Sequence, residues 1–268
     1  MKITALVENQ SNCNLKSIHG LSLYIETQKH KLLFDLGPDQ TLFENARKKG
    51  IHLKEIDTVV ISHGHMDHGG ALGRFLEINH KAKIYMQRKA LEPHYAKVFC
   101  FRIPVGLNSK WKESGQLVLL DGDYTIDEEL QLFVVPETKK LYSAVNDKLY
   151  TKNGRDDFLH EHNLLIREKK NVLIMGCGHA GVVNILEKIR DEKLEYCIGG
   201  YHMTNPATRK MVPESLLDGI ATELNKYTGM NFYTCHCTGK RAYEYLKSRV
   251  TDMNYLACGD TLTIGECI

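Results

Sequence analysis

The sequence contains no apolar run long enough for a transmembrane helix, which needs about 20 consecutive apolar residues. It also lacks the apolar stretch and cleavage site of a signal peptide, because residues 1–9 read as a short strand. These two absences predict a cytoplasmic protein with no membrane partner. In that compartment the eight cysteines are expected to be reduced, so each is either a metal ligand or a small buried side chain.

The sequence also has little net charge and no repetitive segments. Its formal charge is +2 over 268 residues, so composition gives no reason to expect a nucleic-acid partner. Repeats, low-complexity stretches and linkers are missing, so residues 1–268 are predicted to form a single domain. The expected partner is a small-molecule substrate, and the sequence leaves the oligomeric state open.

The order of apolar segments favours a mixed α/β fold. The predicted strands cover residues 2–8, 21–27, 31–36, 56–62, 82–86, 117–120, 130–135, 164–167, 171–175, 196–199 and 232–234. The predicted helices cover residues 39–49, 69–78, 181–191, 214–226 and 240–250. Because the strands come in pairs, the pattern favours two packed mixed sheets with helices outside over a Rossmann layout. Residues 86–116 and 136–161 are the least regular and are predicted to be insertions or lid segments.

The most informative histidine cluster lies in the turn that follows the fourth predicted strand. Residues 63–68 read H-G-H-M-D-H. In an extended backbone His63 and His65 point the same way, and Asp67 and His68 follow at the start of the next helix. Imidazoles and carboxylates are good ligands for Zn, Fe or Mn. Two pairs of ligands on one turn predict two divalent metal ions side by side.

The H-x-H-x-D-H pattern is similar to the signature of the metallo-β-lactamase superfamily, and other segments resemble its dihydropterin-synthase-like branch. The matching segments are VEN at 7–9, HGLS at 19–22, LFDLG at 33–37, GCGHAG at 176–181, IGGYH at 198–202 and HCTG at 236–239. The resemblance implies an αββα sandwich. It also implies a relationship to metal-dependent hydrolases and to the dihydropterin–ribofuranosylaminobenzene phosphate synthase of methanopterin biosynthesis. Since this branch contains more than one activity, it does not fix the substrate.

The resemblance assigns roles to residues inside and outside the turn. The expected metal ligands are His63, His65, Asp67, His68, His179 and His236. Asp35 is expected to orient a ligand histidine from behind the site. His202, Asn9 and His19 are expected to contact the substrate.

Three positions depart from the family pattern. Many family hydrolases carry an H-T-x-G-H motif and an aspartate that bridges the metals, whereas residues 160–163 read H-E-H-N and the bridging position holds Cys177. His162 is therefore either a ligand or a surface-turn residue. Cys177 is either a thiolate ligand, which would favour a softer or more redox-active metal, or a small buried side chain. Gly178 replaces the usual serine, which removes one hydrogen bond near the metals.

The sequence predicts a metal-dependent hydrolase in which two ions, Zn in preference to Fe or Mn, activate water. Asp67 is its catalytic residue and orients that water or takes its proton. One alternative is a transferase of the synthase type, in which an amine or aryl nucleophile displaces diphosphate from a pterin methyl group. A second alternative is an iron or iron–sulfur redox protein, because Cys177 is accompanied by four C-terminal cysteines. These are Cys235, Cys237, Cys258 and Cys267.

Overall fold

The computed structural model describes residues 1–138 and 140–265, which form eighteen strands and six α-helices. The strands are β1 (Lys2–Val7), β2 (Ser22–Glu26), β3 (Lys31–Phe34), β4 (Thr58–Val60), β5 (Lys83–Gln87), β6 (His94–Val98), β7 (Phe101–Pro104), β8 (Leu117–Leu120), β9 (Tyr124–Thr125), β10 (Leu130–Phe133), β11 (Leu149–Thr151), β12 (Gly154–Arg155), β13 (Asn163–Ile166), β14 (Asn171–Ile174), β15 (Leu194–Gly199), β16 (Asn231–Thr234), β17 (Met253–Tyr255) and β18 (Thr261–Thr263). The helices are α1 (Thr41–Lys48), α2 (Met66–Gly69), α3 (Leu72–Ile78), α4 (Val182–Lys188), α5 (Glu214–Leu224) and α6 (Lys240–Lys247). Short 3₁₀ helices lie at Leu53–Glu55, Arg88–Leu91, Ser109–Trp111, Ala144–Lys148 and His236–Thr238. None of the described helices has the length and apolar character that crossing a bilayer requires.

Two seven-stranded mixed sheets form the centre of the fold. The first has the order β18-β1-β2-β3-β4-β5-β8, and the second has the order β17-β16-β15-β14-β13-β10-β9. In the first sheet β3, β4, β5 and β8 are parallel, while the remaining pairs are antiparallel. In the second sheet β14 to β17 are parallel, and β9, β10 and β13 pair antiparallel. The prediction of two mixed sheets is therefore confirmed.

The buried apolar side chains form three clusters, because alternate residues of a strand point to opposite faces of its sheet. Along β14, Val172 and Ile174 join a buried cluster that draws residues from both sheets. Leu173 points the other way, into a cluster with the apolar faces of α4, α5 and α6. A third cluster packs α1 and α3 against the outer face of the first sheet through residues such as Leu42 and Phe75. The layers follow the order helix, sheet, sheet, helix, which confirms the expected αββα sandwich.

The two segments predicted to be irregular contribute a third sheet with the order β12-β11-β6-β7. The hairpin of β6 and β7 comes from residues 86–116, and the hairpin of β11 and β12 comes from residues 136–161. These segments, predicted to be the least regular, therefore contain ordered strands. These strands are short, and β11 pairs with β6 across a long stretch of sequence, so local periodicity gives only a weak signal.

The candidate site residues follow the ends of parallel strands. β3 and β4 are parallel in the first sheet, and β14, β15 and β16 are parallel in the second. These five strands are each followed within three residues by a predicted site residue, in the order Asp35, His63, Cys177, His202 and His236. Since parallel strands end at the same edge of a sheet, the fold gathers these residues at one edge of the sandwich.

A partly buried ion-pair arrangement connects the two sheets at another point. His30, before β3, makes hydrogen bonds with Asp57 through Nδ1 (2.8 Å) and with Asp127 through Nε2 (2.6 Å). Asp57 precedes β4 in the first sheet, and Asp127 lies in the turn between β9 and β10 of the second. Burial opposes the charged imidazole, but the bonds to Asp127 and Asp57 outweigh it and raise the pKa of His30 above 6.5. Burial likewise opposes the charge of Asp127, but His30 and two backbone N–H groups hold its pKa below 3.8.

Replacing His30 with glutamine should therefore destabilise the protein in a pH-dependent way. The contribution of His30 is complete below pH 6.5 and is lost as pH rises through its raised pKa, and that of Asp127 is complete above pH 3.8. We expect His30→Gln to lower the free energy of unfolding by about 1–2 kcal/mol between these values and by less in alkaline solution. Urea unfolding at several pH values measures this, with the exposed His80→Gln as control. An effect that is independent of pH would contradict the ion-pair account.

Candidate metal centre

Three histidines from two loops form the first part of the centre. His63 and His65 belong to the turn after β4, and His179 belongs to the loop after β14. All three are buried, and their potential ligand atoms lie within 4.8 Å of one another. The Nε2 atom of each has no hydrogen-bond partner within the described structure. Buried polar atoms rarely lack partners, so three of them in one place indicate a site for a bound group.

Hydrogen bonds on the far side of two of these rings fix which nitrogen carries the proton. Ser62 donates its hydroxyl to Asp35 (2.8 Å), so its oxygen must accept from Nδ1–H of His63 (2.8 Å). The side-chain NH₂ of Asn146 donates to the main-chain oxygen of His179 (2.9 Å). The side-chain oxygen of Asn146 therefore accepts from Nδ1–H of His179 (2.8 Å). Both rings therefore present an Nε2 lone pair to the centre, as metal-bound histidines do.

The second part of the centre brings three acceptor atoms face to face. His68 donates Nδ1–H to Asp35 (2.6 Å), and His236 donates Nδ1–H to the amide oxygen of Asn9 (2.9 Å). Their Nε2 atoms are 3.1 Å apart. The Asp67 Oδ2 atom lies 3.3 Å from His236 Nε2 and 3.7 Å from His68 Nε2. Two lone pairs and a carboxylate at these distances repel one another unless a cation lies between them.

The electrostatics of this second part favour positive charge. Burial lowers the pKa of His68, but Asp35 and Asp67 outweigh it and raise the pKa to about 9. Burial would raise the pKa of Asp67, but the charge of His68, the hydrogen bond from His19 and the nearby ring of His236 hold it well below its usual range. Asp67 is thus an anion at neutral pH, and the space beside His68 attracts a cation, whether a proton or a metal ion.

Cys177 lies between the two parts of the centre. Its Sγ atom is 3.3 Å from His68 Nε2. The same atom lies within 4.8 Å of a potential ligand atom of His63 on one side and of those of His236 and Cys237 on the other. Burial raises the pKa of the Cys177 thiol, and Cys237 adds to the effect, so a bound cation would be needed to favour the thiolate. The structure thus places Cys177 where the family pattern expects a bridging aspartate.

Two buried carboxylates hold the ligand loops by their backbones. Glu161 accepts hydrogen bonds from the main-chain N–H groups of His179 (2.8 Å) and Ala180 (2.9 Å), and burial raises its pKa to about 7. Glu8 accepts from the main-chain N–H of His236 (2.6 Å). The backbone of His236 is left-handed, with φ of 50°. Such a conformation is unfavourable outside glycine and requires support of this kind. Sequence reasoning gave neither glutamate a role, although Glu8 lies in the VEN segment and Glu161 lies in H-E-H-N.

A second histidine cluster braces the metal-binding turn. His160 Nδ1 accepts from the main-chain N–H of Gly64 (2.8 Å), and its Nε2–H donates to Asp156 (3.2 Å). His94 Nδ1–H donates to the same carboxylate (3.0 Å), and its Nε2–H donates to the main-chain oxygen of Lys89 (3.1 Å). Because these bonds occupy both nitrogens of both rings, the cluster supports the turn and offers no free lone pair. His94 and Asp156 carry no sequence signal, and His160 could have been found only through H-E-H-N.

His162 lies behind the turn. Its main-chain N–H donates to the oxygen of Ser62 (2.9 Å), and its Nδ1 accepts from the side-chain amide of Gln87 (3.2 Å). The proton of His162 is therefore on Nε2, which leaves no lone pair for a metal. The surface-turn alternative is wrong, because this residue is fully buried.

A cavity of about 420 Å³ opens beside the centre. His19, His65, Asp67, Cys177, His202, His236 and Cys237 contribute its polar wall. His202 is buried, and both of its ring nitrogens lack hydrogen-bond partners within the described chain. His19 donates Nε2–H to Asp67 (3.2 Å). Asn9 was expected to contact the substrate, but it is not among the residues that line the cavity. Its side-chain oxygen instead accepts from Nδ1–H of His236 and from the main-chain N–H of Gly20.

Of the described C-terminal cysteines, Cys235 and Cys258 lie away from the centre. Cys258 donates its thiol to the main-chain oxygen of Leu6 (3.3 Å), and Cys235 is buried in the cluster between the sheets. Cys267 lies outside the described residues. Among the described C-terminal cysteines only Cys237 lines the cavity, which gives no support to a four-cysteine iron–sulfur site.

Comparison with known proteins places these residues in a family context. Residues 18–143 match the sequence profile of the metallo-β-lactamase superfamily. The chain is 28% identical over 270 residues to 7,8-dihydropterin-6-methyl-4-(beta-D-ribofuranosyl)-aminobenzene-5'-phosphate synthase of Methanocaldococcus jannaschii, covering 90% of this chain and 89% of that protein.

Solved structures show the same relationship. The crystal structure of Tm1679, described as a metal-dependent hydrolase of the β-lactamase superfamily, superposes with a TM-score of 0.81 at 26% identity over 99% of this chain and 100% of that one. An isothiocyanate hydrolase from Delia radicum gut bacteria shares the fold alone, with a TM-score of 0.57 at 15% identity over 98% of this chain and 99% of the other. These matches give the chain the metallo-β-lactamase superfamily profile over residues 18–143 and the metallo-β-lactamase fold over the described chain.

Proposed function

We propose that this protein is a hydrolase that holds two divalent metal ions beside its cavity. The observation that carries the proposal is a set of buried imidazole Nε2 atoms at one place: those of His63, His65 and His179 have no hydrogen-bond partner within the described chain, and those of His68 and His236 are 3.1 Å apart. Neutral imidazoles, a carboxylate and a thiol suit Zn²⁺, and also Fe or Mn. A small-molecule substrate fits the size of the cavity.

The donor atoms divide into two sets with one residue between them. His63, His65 and His179 would hold one ion, and Asp67, His68 and His236 would hold the other. Cys177 lies within reach of both sets. Ions held here would supply Lewis-acid stabilisation of negative charge and lower the pKa of water.

Asp67 would orient the attacking water. Its low pKa makes it a hydrogen-bond acceptor that stays ionised, and His19 holds one of its oxygens from the cavity side. Asp35 has a supporting task, because it receives Nδ1–H of His68 and the hydroxyl of Ser62, which in turn holds His63. One buried carboxylate therefore orients a ligand in each set.

His202 would transfer a proton to the leaving group. Its two ring nitrogens have no hydrogen-bond partner within the described chain, the residue lines the cavity, and its ring packs against His179 at 4.3 Å between centroids. The ring is held in place from its backbone, since the main-chain oxygen of His202 accepts from Ser143 (2.6 Å) and its N–H donates to Cys237 Sγ (3.2 Å). An imidazole whose ring nitrogen faces the substrate can donate a proton to a leaving group.

The charge of the cavity favours hydrolysis over the transferase alternative. The relative from M. jannaschii is named as a synthase whose product carries a phosphate. None of the sixteen described residues that line the cavity is lysine or arginine. A phosphate bound away from the metal centre would lack a charged partner there. Turnover of carboxylic or phosphate esters, compared with that of a dihydropterin diphosphate, distinguishes the two reactions.

The two-set arrangement gives a prediction about metal content. Protein purified without added metal should contain about two ions per chain. His179→Ala and His236→Ala should each remove about one ion, because each deletes a donor from a different set, and the double variant should remove both. Elemental analysis measures the content, with the exposed His80→Gln as control. Full occupancy in the double variant would be incompatible with the assignment.

Asp67→Asn should abolish turnover far more than it weakens folding. The amide keeps the shape of the side chain, but it is a poor ligand and cannot hold the negative charge that balances the ions. We expect turnover of the best ester substrate to fall by ~10²-fold or more. The thermal midpoint of the metal-loaded variant should stay near that of the wild type, because the buried β4 strand and Glu161 fix the loops. Retention of more than about a tenth of wild-type turnover would remove Asp67 from the mechanism.

A further inference from the structure

The third sheet forms an apolar wall of the cavity. Its register places Leu149 opposite Ala96 and Ala96 opposite Ile103, so these three side chains form one row across β11, β6 and β7. Val98 and Phe101 are also paired and form the next row. Because alternate residues of a strand point to the same face, both rows lie on one face of the sheet. All of them except Phe101 line the cavity.

The other face of the same strands is polar. Lys97 and Arg102 are paired there, one position away from the wall residues, and Arg102 lies over the ring of Tyr150 at 4.5 Å from its centroid. Strand alternation therefore turns two cationic side chains away from the cavity. On the apolar face, Ile103 is 47% exposed and Phe101 is 70% exposed. Exposed apolar side chains that continue a cavity wall mark a surface for an apolar ligand.

Backbone hydrogen bonds attach this wall to the metal-binding turn. The N–H of Met66 donates to the oxygen of Val105 (2.8 Å), and the N–H of Leu107 donates to the oxygen of Gly64 (3.2 Å). Val105 also lines the cavity. The wall is therefore held at a fixed position relative to His65 and Asp67, so a group bound on it would be positioned for reaction.

We propose that this wall binds an uncharged aliphatic chain and that the substrates are carboxylic esters of such acids. The inference rests on the proposed hydrolase function. In the reaction, the oxygen of water forms a bond to the acyl carbon and the acyl carbon–oxygen bond breaks. One proton of the water goes to the leaving alcohol, which His202 can deliver, and the acid is released. The chain lies on the rows of Ile103 and Val98, away from the metal centre.

The dependence of hydrolysis on chain length tests this wall. The metal-loaded protein is assayed with the 4-nitrophenyl esters of acetic, butyric, hexanoic and octanoic acids. We expect kcat/KM to rise by about threefold for each added methylene while the chain extends along the wall, as burial of a methylene allows. The half-ester of adipic acid, which matches hexanoate in length but ends in a carboxylate, should react at least about tenfold more slowly than hexanoate.

Three variants in strand β7 distinguish an effect of the apolar wall on substrate choice from a general loss of activity. Ile103→Thr keeps a β-branched side chain but makes it polar, and it should lower the ratio of hexanoate to acetate turnover by about threefold to tenfold. Arg102→Thr changes the opposite face and should leave this ratio unchanged. Ile103→Lys should reverse the discrimination against the adipate half-ester, because it supplies the missing cation.

Binding of the product acids gives a second readout that does not depend on turnover. Calorimetry with acetate, butyrate, hexanoate and octanoate should show affinity for the metal-loaded protein that increases with chain length and that Ile103→Thr reduces. Equal turnover and equal affinity across the series, or the same length dependence in Ile103→Thr, would overturn the wall assignment. If no ester is hydrolysed while affinity still increases with length, the proposed hydrolase function fails and the wall assignment stands.

Discussion

The structure depends on one electrostatic constraint, which is that buried imidazole lone pairs face each other at the edge of the sandwich. The Nε2 atoms of His68 and His236 are 3.1 Å apart, and a carboxylate oxygen of Asp67 lies beside them. Their Nδ1–H groups are committed to Asp35 and Asn9, so neither ring can turn its proton inward without losing a bond. Such an arrangement is stable only with a cation at its centre.

Much of the surrounding fold serves to hold these atoms in place. Asp35, His202 and His236 adopt left-handed backbone conformations, with φ of 62°, 51° and 50°. Strain of this kind persists where the neighbouring structure enforces it. Here the buried Glu8 accepts from the main-chain N–H of His236, and the buried Ser143 donates to the main-chain oxygen of His202. The two sheets supply the rigid strand ends from which these loops start, and the third sheet adds an apolar wall to the cavity.

Sequence reasoning identified the layers and the ligand loops, because both leave local signals. The H-x-H-x-D-H turn follows a buried strand, and its Gly64 packs closely against the neighbouring chain, since an added Cβ would lie 2.5 Å from the oxygen of Ala90. Long-range partners left no such signal. The bracing pair His94 and Asp156, and the strands of the third sheet, depend on contacts between distant segments, which periodicity and motifs do not encode.

The central claim is that the inward-facing lone pairs hold metal ions, and anomalous X-ray scattering from crystals of natively purified protein tests it most directly. The account predicts two anomalous peaks, one at ~2.0–2.1 Å from the Nε2 atoms of His63, His65 and His179 and one at a similar distance from those of His68 and His236. A peak confined to the His94, Asp156 and His160 cluster, or no peak at any of these histidines, would contradict the account.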